Sequence, residues 1–476
     1  MSSTGEDNVK SLQDEAKKIG AAERIVHQKD YKELCESLSD GEEPRSFVFS
    51  IPHGKVGDKT VEGLRPFLKK GDLIIDCSNE HWENTERRQK QLDPDGIHYV
   101  GCGVSGGYQS ARHGPSCSPG GSEEGLKRAM PFLKQIAARD KHGRPCTNPV
   151  GPGGAGHYVK MVHNGIEQGM MSVLAEAWFI LVTGLQLSYE EVGSIFEKWN
   201  KDGPLHDCFL VDIGADICRM KDEKGEFVKQ GEYVLAHVRD KVVQDVDETE
   251  GTGYWTCEQG VMNHVPIATI AAAHLFRCAS ADAARRIQIQ KSFGGGVKPQ
   301  PINVESKDQF VKDLENAVYI CFLMCFAQGL LLIKKMDKKK GWKIKYSELL
   351  QLWRGGCIIQ ADYIVDLLQR MYDRNDHDDD DILANNEIGA ELSKHFPALK
   401  KVVLKSIEAD MYIPAISQSL EFYKYSGSTE LPTQFMEAEL DYFGAHNFDL
   451  KEGPPGKPQT GELHFSWKPA KGIFSD

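Results

Sequence analysis

The sequence lacks several things, and each lack excludes a class of protein. It has no surplus of positive charge: 57 Lys and Arg stand against 70 Asp and Glu, a formal net charge of −13. A chain of that sign is repelled by nucleic acid and by anionic lipid, so neither is expected as a partner. Lys338-Lys339-Lys340 is too short a basic run to change this. The chain also has no uninterrupted apolar stretch long enough to cross a bilayer. Its longest, Ala317 to Ile333, is broken by Gln328 and Gly329 and reads as a buried core helix. The twelve cysteines form no C-x-x-C pair and keep no regular spacing, which suits reduced thiols in a cytoplasmic protein. No charged-then-apolar leader opens the chain, and no internal repeat runs through it. The run Asp376-His377-Asp378-Asp379-Asp380-Asp381 lacks the glycine and glutamate of a calcium loop and reads as solvated.

What is present is enough chain, 476 residues, for two or three domains. Helical patterns over 8–19, 32–38, 61–70, 83–91 and 121–138 alternate with strand patterns over 46–50, 73–76 and 97–100. That alternation predicts a parallel sheet wrapped by helices. From Gly154 the pattern changes to long apolar-periodic segments with little strand between them, a second and mostly helical domain. From about Ser426 the helical period fades, and GPPGKP (Gly453 to Pro458) marks an extended tail. The expected domains are therefore 1–153, 154–425 and 426–476.

GCGVSGG, Gly101 to Gly107, matches G-x-G-x-x-G, the turn that cradles a dinucleotide's phosphates. Such a turn opens an apolar helix. Here Gly107 leads into YQSARHGPS, which is polar and bears glycine and proline. The motif is thus excluded as a cofactor turn, and Ser105-Gly106-Gly107 instead offers a hydroxyl and close-approach amides suited to a carboxylate or another anion. Gly151 to Gly156 is a second chance match and reads as a linker. Asp76-Cys77-Ser78-Asn79 ends a strand at the sheet's carboxyl edge, where α/β sheets bind ligands.

The next helix, Gly154 to Trp178, carries Lys160, His163, Asn164 and Glu167 on one stripe, with apolar residues over much of the rest. Two readings stand: a polar column inside the protein, or a solvent face with a Lys160–Glu167 pair. A buried lysine loses part of its preference for charge, which a general base near neutral pH requires, and Glu167 could serve as the matching acid. Trp353-Arg354-Gly355-Gly356-Cys357 shows no chemistry and reads as a tight helix contact.

Taken together, VGCGVSGG, ARHGPS, PGG, GAGHYVKMVHNGIEQG, GTGYWT, LWRGGCII and DYFGAH resemble the 6-phosphogluconate dehydrogenase family in order and interval, over more than nine tenths of the chain. The resemblance implies an NADP-linked oxidoreductase of the pentose phosphate route. In that reaction a 3-hydroxy acid is oxidised, the 3-keto acid loses CO2, and the enediol is protonated to ribulose 5-phosphate. It implies Lys160 as the base and Glu167 as the acid. Asn79, Ser105, Gly106, Gly107, His163, Asn164, Thr252, Arg277 and His446 would bind substrate, Asn79 would also face the cofactor, and no metal is required. A dimer is implied, with a homologue or a second copy, whose tail supplies Asp441 to His446 across to the partner's site.

The resemblance also locates departures. The family's opening strand and glycine-rich turn have no counterpart before Asn8, so the fold expected is a Rossmann-like α/β domain without them, then a large all-helical domain and an extended tail. Glu250 stands where the family has lysine, Gln168 where it has tyrosine, and Leu440 where it has arginine. Each lost charged hydrogen bond to a phosphate is worth roughly 1.5–3 kcal/mol. These changes allow an alternative: a catalytically impaired paralogue that acts as a dimer partner or regulator.

Overall fold

The computed structural model describes residues 5–38, 43–245, 251–374, 381–452, 461 and 463–467. Glu250, most of the acidic run and Gly453 to Pro458 lie outside the described residues. The chain forms two compact units, 1–420 and 421–476.

Four strands build the sheet: β1 (Ser46–Phe49), β2 (Leu73–Asp76), β3 (His98–Ser105) and β4 (Ser116–Gly120), in the order β1-β2-β3-β4. The first three are parallel and β4 runs antiparallel to β3. β2 is buried along its whole length, as its continuous apolar run requires of a strand covered on both faces. One face packs Phe47, Phe49, Val61, Leu64, Ile74 and Leu92, and the other packs Leu73, Ile75, Val100, Leu126 and Leu133. Among the described residues no strand precedes β1, whose Val48 is half exposed.

Helices α1 (Glu6–Lys18), α2 (Tyr31–Ser37), α3 (Lys55–Leu64), α4 (Trp82–Leu92), α5 (Gly107–His113) and α6 (Glu123–Ile136) accompany the strands. α3 starts and stops six residues before the helix expected over 61–70. Pro66 accounts for its end, because it lacks the N–H that would continue the helical ladder, and the chain tightens into a 3-10 turn over Arg65–Phe67.

The helical region comprises α7 (Ala155–Phe179), α8 (Tyr189–Lys201), α9 (Phe209–Arg219), α10 (Thr252–Met262), α11 (Ala268–Ala281), α12 (Ala283–Ser292), α13 (Lys307–Lys340), α14 (Tyr346–Leu352), α15 (Asp362–Asp373), α16 (Asn386–Glu408) and α17 (Pro414–Ser426). α13 has the length and hydropathy of a membrane span, yet 89% of its most apolar stretch is buried inside the fold. It is the core helix the sequence suggests. The segment expected to be extended instead carries α18 (Thr433–Gly444). Its Phe435, Met436 and Phe443 are exposed and Asp441 is its buried residue, although Met436, Leu440 and Phe443 keep helical spacing in the sequence.

α7 is central, packing against β3, β4, α10, α11 and α13. Glycines permit this. A Cβ on Gly156 would run into Ser118 O and Gly101 O, and one on Gly103 would lie 2.5 Å from Lys160 Cγ. Gly101 and Gly103 therefore sit inside a strand, where they let a helix lie directly on the sheet.

Candidate functional site

The polar stripe of α7 faces inward. Lys160 is 6% exposed and His163 1%, which settles the two readings in favour of the internal column. Lys160 Nζ donates to Asn164 Oδ1, and Asn164 Nδ2 donates to Thr252 Oγ1 at 2.8 Å. Because an ammonium or amine N–H must meet an acceptor, Lys160 fixes which way the Asn164 amide points. His163 Nδ1 lies 3.1 Å from the same Oδ1 and 3.7 Å from Glu167 Oε2. Burial first, then the charge of Lys160, holds the His163 pKa well below its ordinary value. The ring is thus neutral, with its proton on Nδ1 toward Asn164 and its Nε2 lone pair accepting from Ser105 Oγ at 3.2 Å.

A cavity of about 300 Å³ opens beside this stripe. Asn79, Asn164, Glu167, Thr252 and Arg277 line it, together with His53, Gln168, Gln244, Met171 and Trp255. Five of the residues singled out from sequence therefore meet at one place, drawn from the end of β2, from α7, α10 and α11. Ser105, at the end of β3, joins through His163. Gly106 and Gly107 follow it with φ of 112° and 65°. Space beside Gly107 is open, whereas a side chain on Gly106 would collide with Gly356 O. His446 belongs to the second unit, where it is exposed beside Phe443.

The WRGG segment makes a tight contact, as expected, but its glycines meet loops and not a helix: a Cβ on Gly356 would lie 2.5 Å from Gly114 O and 2.8 Å from Pro115 C. Gly356 O accepts from Ser116 N at 2.9 Å, which ties the loop after Ser105 in place. Trp353 is fully buried and sets its ring edge-on to His163 at 6.2 Å.

Beneath the cavity a buried ionic cluster joins the loops that follow β1 and β2. Arg88 Nη1 donates to Glu80 Oε2 at 2.7 Å and Nη2 to Gly54 O at 2.8 Å, while Gly54 N donates to Glu80 at 2.8 Å. The loop so held presents His53 to the cavity, and His53 and His81 both meet Trp255 edge-on at 5.1 and 5.2 Å. Sequence reading missed His53 and Trp255. His53 had a signal, its place just past the carboxyl end of a strand, and Trp255 had one in the GTGYWT stretch to which it belongs. Gly54, at φ 74° with open space beside it, leaves the start of α3 approachable by a dinucleotide. His53, Gly54 and Asn79 thus fit the nicotinamide end of such a cofactor. Among the described residues no group of three His, Cys, Asp or Glu could hold a metal.

Comparison with known proteins agrees with this geometry. Residues 6–151 match the NAD binding domain of 6-phosphogluconate dehydrogenase, and residues 156–467 match the C-terminal domain of 6-phosphogluconate dehydrogenase. A decarboxylating 6-phosphogluconate dehydrogenase of Emericella nidulans is 44% identical over 98% of this chain and 95% of its own. The NADP(+)-dependent, decarboxylating enzyme of Bacillus subtilis is 34% identical over 92% and 87%. The solved structure of the Plasmodium falciparum 6-phosphogluconate dehydrogenase superposes with a TM-score of 0.83 at 30% identity, over 96% of this chain and 93% of that one. A Rossmann-like α/β part followed by a helical part, with the Lys160 stripe where they meet, places this chain in the 6-phosphogluconate dehydrogenase family.

Proposed function

We propose that the protein is an NADP-linked oxidoreductase that oxidises and decarboxylates a 3-hydroxy sugar acid, the reaction class of the decarboxylating 6-phosphogluconate dehydrogenases. The observation that carries this reading is the buried Lys160, whose amine donates to Asn164, a residue that lines the cavity together with Glu167. NADP, when bound, accepts the hydride from C3. His53, Gly54 and Asn79 are the residues that hold its reactive end.

Lys160, as the free amine, takes the proton of the substrate's 3-hydroxyl, and Asn164 directs the lysine lone pair toward it. The product of oxidation is a 3-keto acid, which releases CO2 as the electron pair of the breaking bond moves toward the keto oxygen. Lys160, now protonated, returns its proton to that oxygen to give the enediol. Glu167 then protonates C2 of the acid, the carbon that lost CO2, as Lys160 takes back the proton of the C3 hydroxyl, and the ketose forms. The Gly107 amide is the donor to the substrate carboxylate, and Ser105, whose hydroxyl proton is held by neutral His163, stands beside it as a contact to the substrate's own donors.

A purified chain bearing Lys160→Met tests the assignment. Production of NADPH is expected to fall by about 10²–10⁴-fold, the usual contribution of a positioned base, with the circular dichroism spectrum unchanged. Turnover within twofold of the parent would remove Lys160 from the mechanism. The twelve free thiols support residence in a reducing compartment, the cytoplasm. Exposed Val261, Met262, Leu275 and Phe276 on α10 and α11 support pairing with a second copy or a homologous chain.

A further inference from the structure

Three of the twelve thiols meet on one face of the sheet. β2 and β3 are parallel and in register from Leu73 opposite His98 to Asp76 opposite Gly101, so the next position sets Cys77 against Cys102. Side chains alternate along a strand, and Leu73, Ile75 and Cys77 share their face with Val100 and Cys102. Cys117, on β4, packs into the same cluster. Hydrogen bonding with Cys117 and with Cys77, then burial, holds the Cys102 thiol well above its ordinary pKa.

Access separates the three. Cys102 and Cys117 are fully buried, whereas Cys77 is half-buried where the chain leaves β2. A small oxidant arriving from solvent therefore meets Cys77 first, and Cys102 is the thiol placed to resolve what forms there. Neighbouring strands run about 4.7–4.9 Å apart, within the Cα separation of about 4.4–6.8 Å that a disulfide tolerates. The bond still draws two sulfurs closer than unbonded thiols can approach, so the end of β2 has to close on β3. β3 is held between β2 and β4, while the ladder from β2 ends at Asp76. Cys77 N donates to Phe49 O on the β1 side at 2.9 Å, and closure toward β3 pulls against that bond. The segment that yields is Cys77 to Asn79, and Asn79 lines the cavity.

The geometry points to a modification site: hydrogen peroxide converts Cys77 and Cys102 into a reversible disulfide that draws Asn79 out of place and weakens cofactor binding. One peroxide suffices. The Cys77 sulfur attacks one oxygen and the O–O bond breaks, leaving a sulfenic acid and a water. The Cys102 sulfur attacks the Cys77 sulfur, the hydroxyl departs with the Cys102 proton as a second water, and the two thiols have given two electrons to the peroxide. A small thiol restores both by exchange. The effect on the cofactor rests on the reading above, in which Asn79 faces it.

The full chain, reduced and then treated with hydrogen peroxide, tests the proposal. Peptides digested without reductant are mapped by mass spectrometry, and NADPH binding is titrated by calorimetry. The expected result is a linked pair of peptides bearing Cys77 and Cys102. The NADPH dissociation constant is expected to rise about tenfold, the value of about one hydrogen bond, and to recover with dithiothreitol. Cys77→Ala and Cys102→Ala are each expected to abolish the linked pair and the rise, and Cys117→Ala to keep both. Should Cys102→Ala fail to fold, Cys77→Ala, at the half-buried position, decides the matter. Absence of the linked pair at peroxide concentrations that oxidise the exposed Cys278, an unchanged constant in the bonded form, or an equal rise in Cys77→Ala overturns the proposal. Failure of the reduced chain to bind millimolar NADPH refutes the cofactor reading and with it the effect on binding, while the peptide map still decides the bond.

Discussion

Replacing Gly103 by alanine discriminates between two meanings of the glycine-rich motif. An ideal Cβ there lies 2.5 Å from Lys160 Cγ and nearer still to Lys160 Cβ. Carbon atoms in contact sit about 3.5–4.0 Å apart, so the helix must retreat by about 1 Å or more. It has nowhere to go, since Gly156 of the same helix already rests on Ser118 O and Gly101 O. Overpacking of this kind costs about 1–3 kcal/mol, which in a unit of 420 residues lowers Tm by about 1–3 °C. Lys160 moves with the helix, and a 1 Å misplacement of a catalytic group costs on the order of 10²-fold in rate. Differential scanning fluorimetry and NADPH titration on Gly103→Ala and Gly107→Ala provide the comparison. Gly107 has open space and a positive φ, so its alanine variant pays only backbone strain, about 1–2 kcal/mol. Gly103→Ala is thus expected to be the less stable of the two, with NADPH affinity retained. An unchanged Tm together with lost NADPH binding would mean that the motif is a phosphate turn after all, and the close-approach reasoning would fail.

Two further expectations concern stability and assembly. Glu176 is buried on α7 and accepts from Ala415 N at 2.8 Å and Ile416 N at 2.9 Å, at the start of α17. Burial pushes its pKa from 4.5 up to about 8, against the pull of these bonds. A carboxyl whose folded pKa is raised favours the folded state below its unfolded pKa, and that contribution drains as pH rises. The parent therefore loses up to about 1.4 kcal/mol per pH unit across this window. In Glu176→Gln the side chain does not ionise, so the Tm difference, variant minus parent, is expected to grow from about pH 4.5 to pH 8. A difference independent of pH would contradict the raised pKa. For assembly, sedimentation velocity of the parent is expected to show a dimer, and Phe276→Asp, at a side chain 58% exposed, is expected to shift it to monomer. A monomeric parent would refute the pairing.

The polar stripe of α7 was legible in the sequence as four polar residues at helical spacing in an otherwise apolar helix, but whether it faced inward or toward solvent was not, because the spacing is the same in both cases and only burial in the fold separates them. The ends of β2 and β3 were legible for a similar reason, as apolar strands running into polar, glycine-bearing turns. β4 was not: SCSPG has the composition of a loop, and its strand character comes wholly from pairing with β3. α18 escaped because its apolar side chains lie exposed. The Arg277–Asp245 pair joins residues 32 positions apart, and Asp245 lies in a stretch with no period to read. Only the folded chain shows that the two meet.

The absence of side chains where α7 meets the sheet has a consequence for motion. Many dehydrogenases enclose substrate by swinging one lobe against another about a hinge. Here the helix that carries Lys160 and Glu167 is seated backbone to backbone on β3 and β4, and the sheet and helical regions belong to one compact unit. Any rotation of one against the other would have to pry apart contacts with no compressible atoms between them. A hinge between sheet and helices would have to open at this seam, so the motion that admits substrate costs least at the cavity's own lining, by His53, Asn79 and Val242.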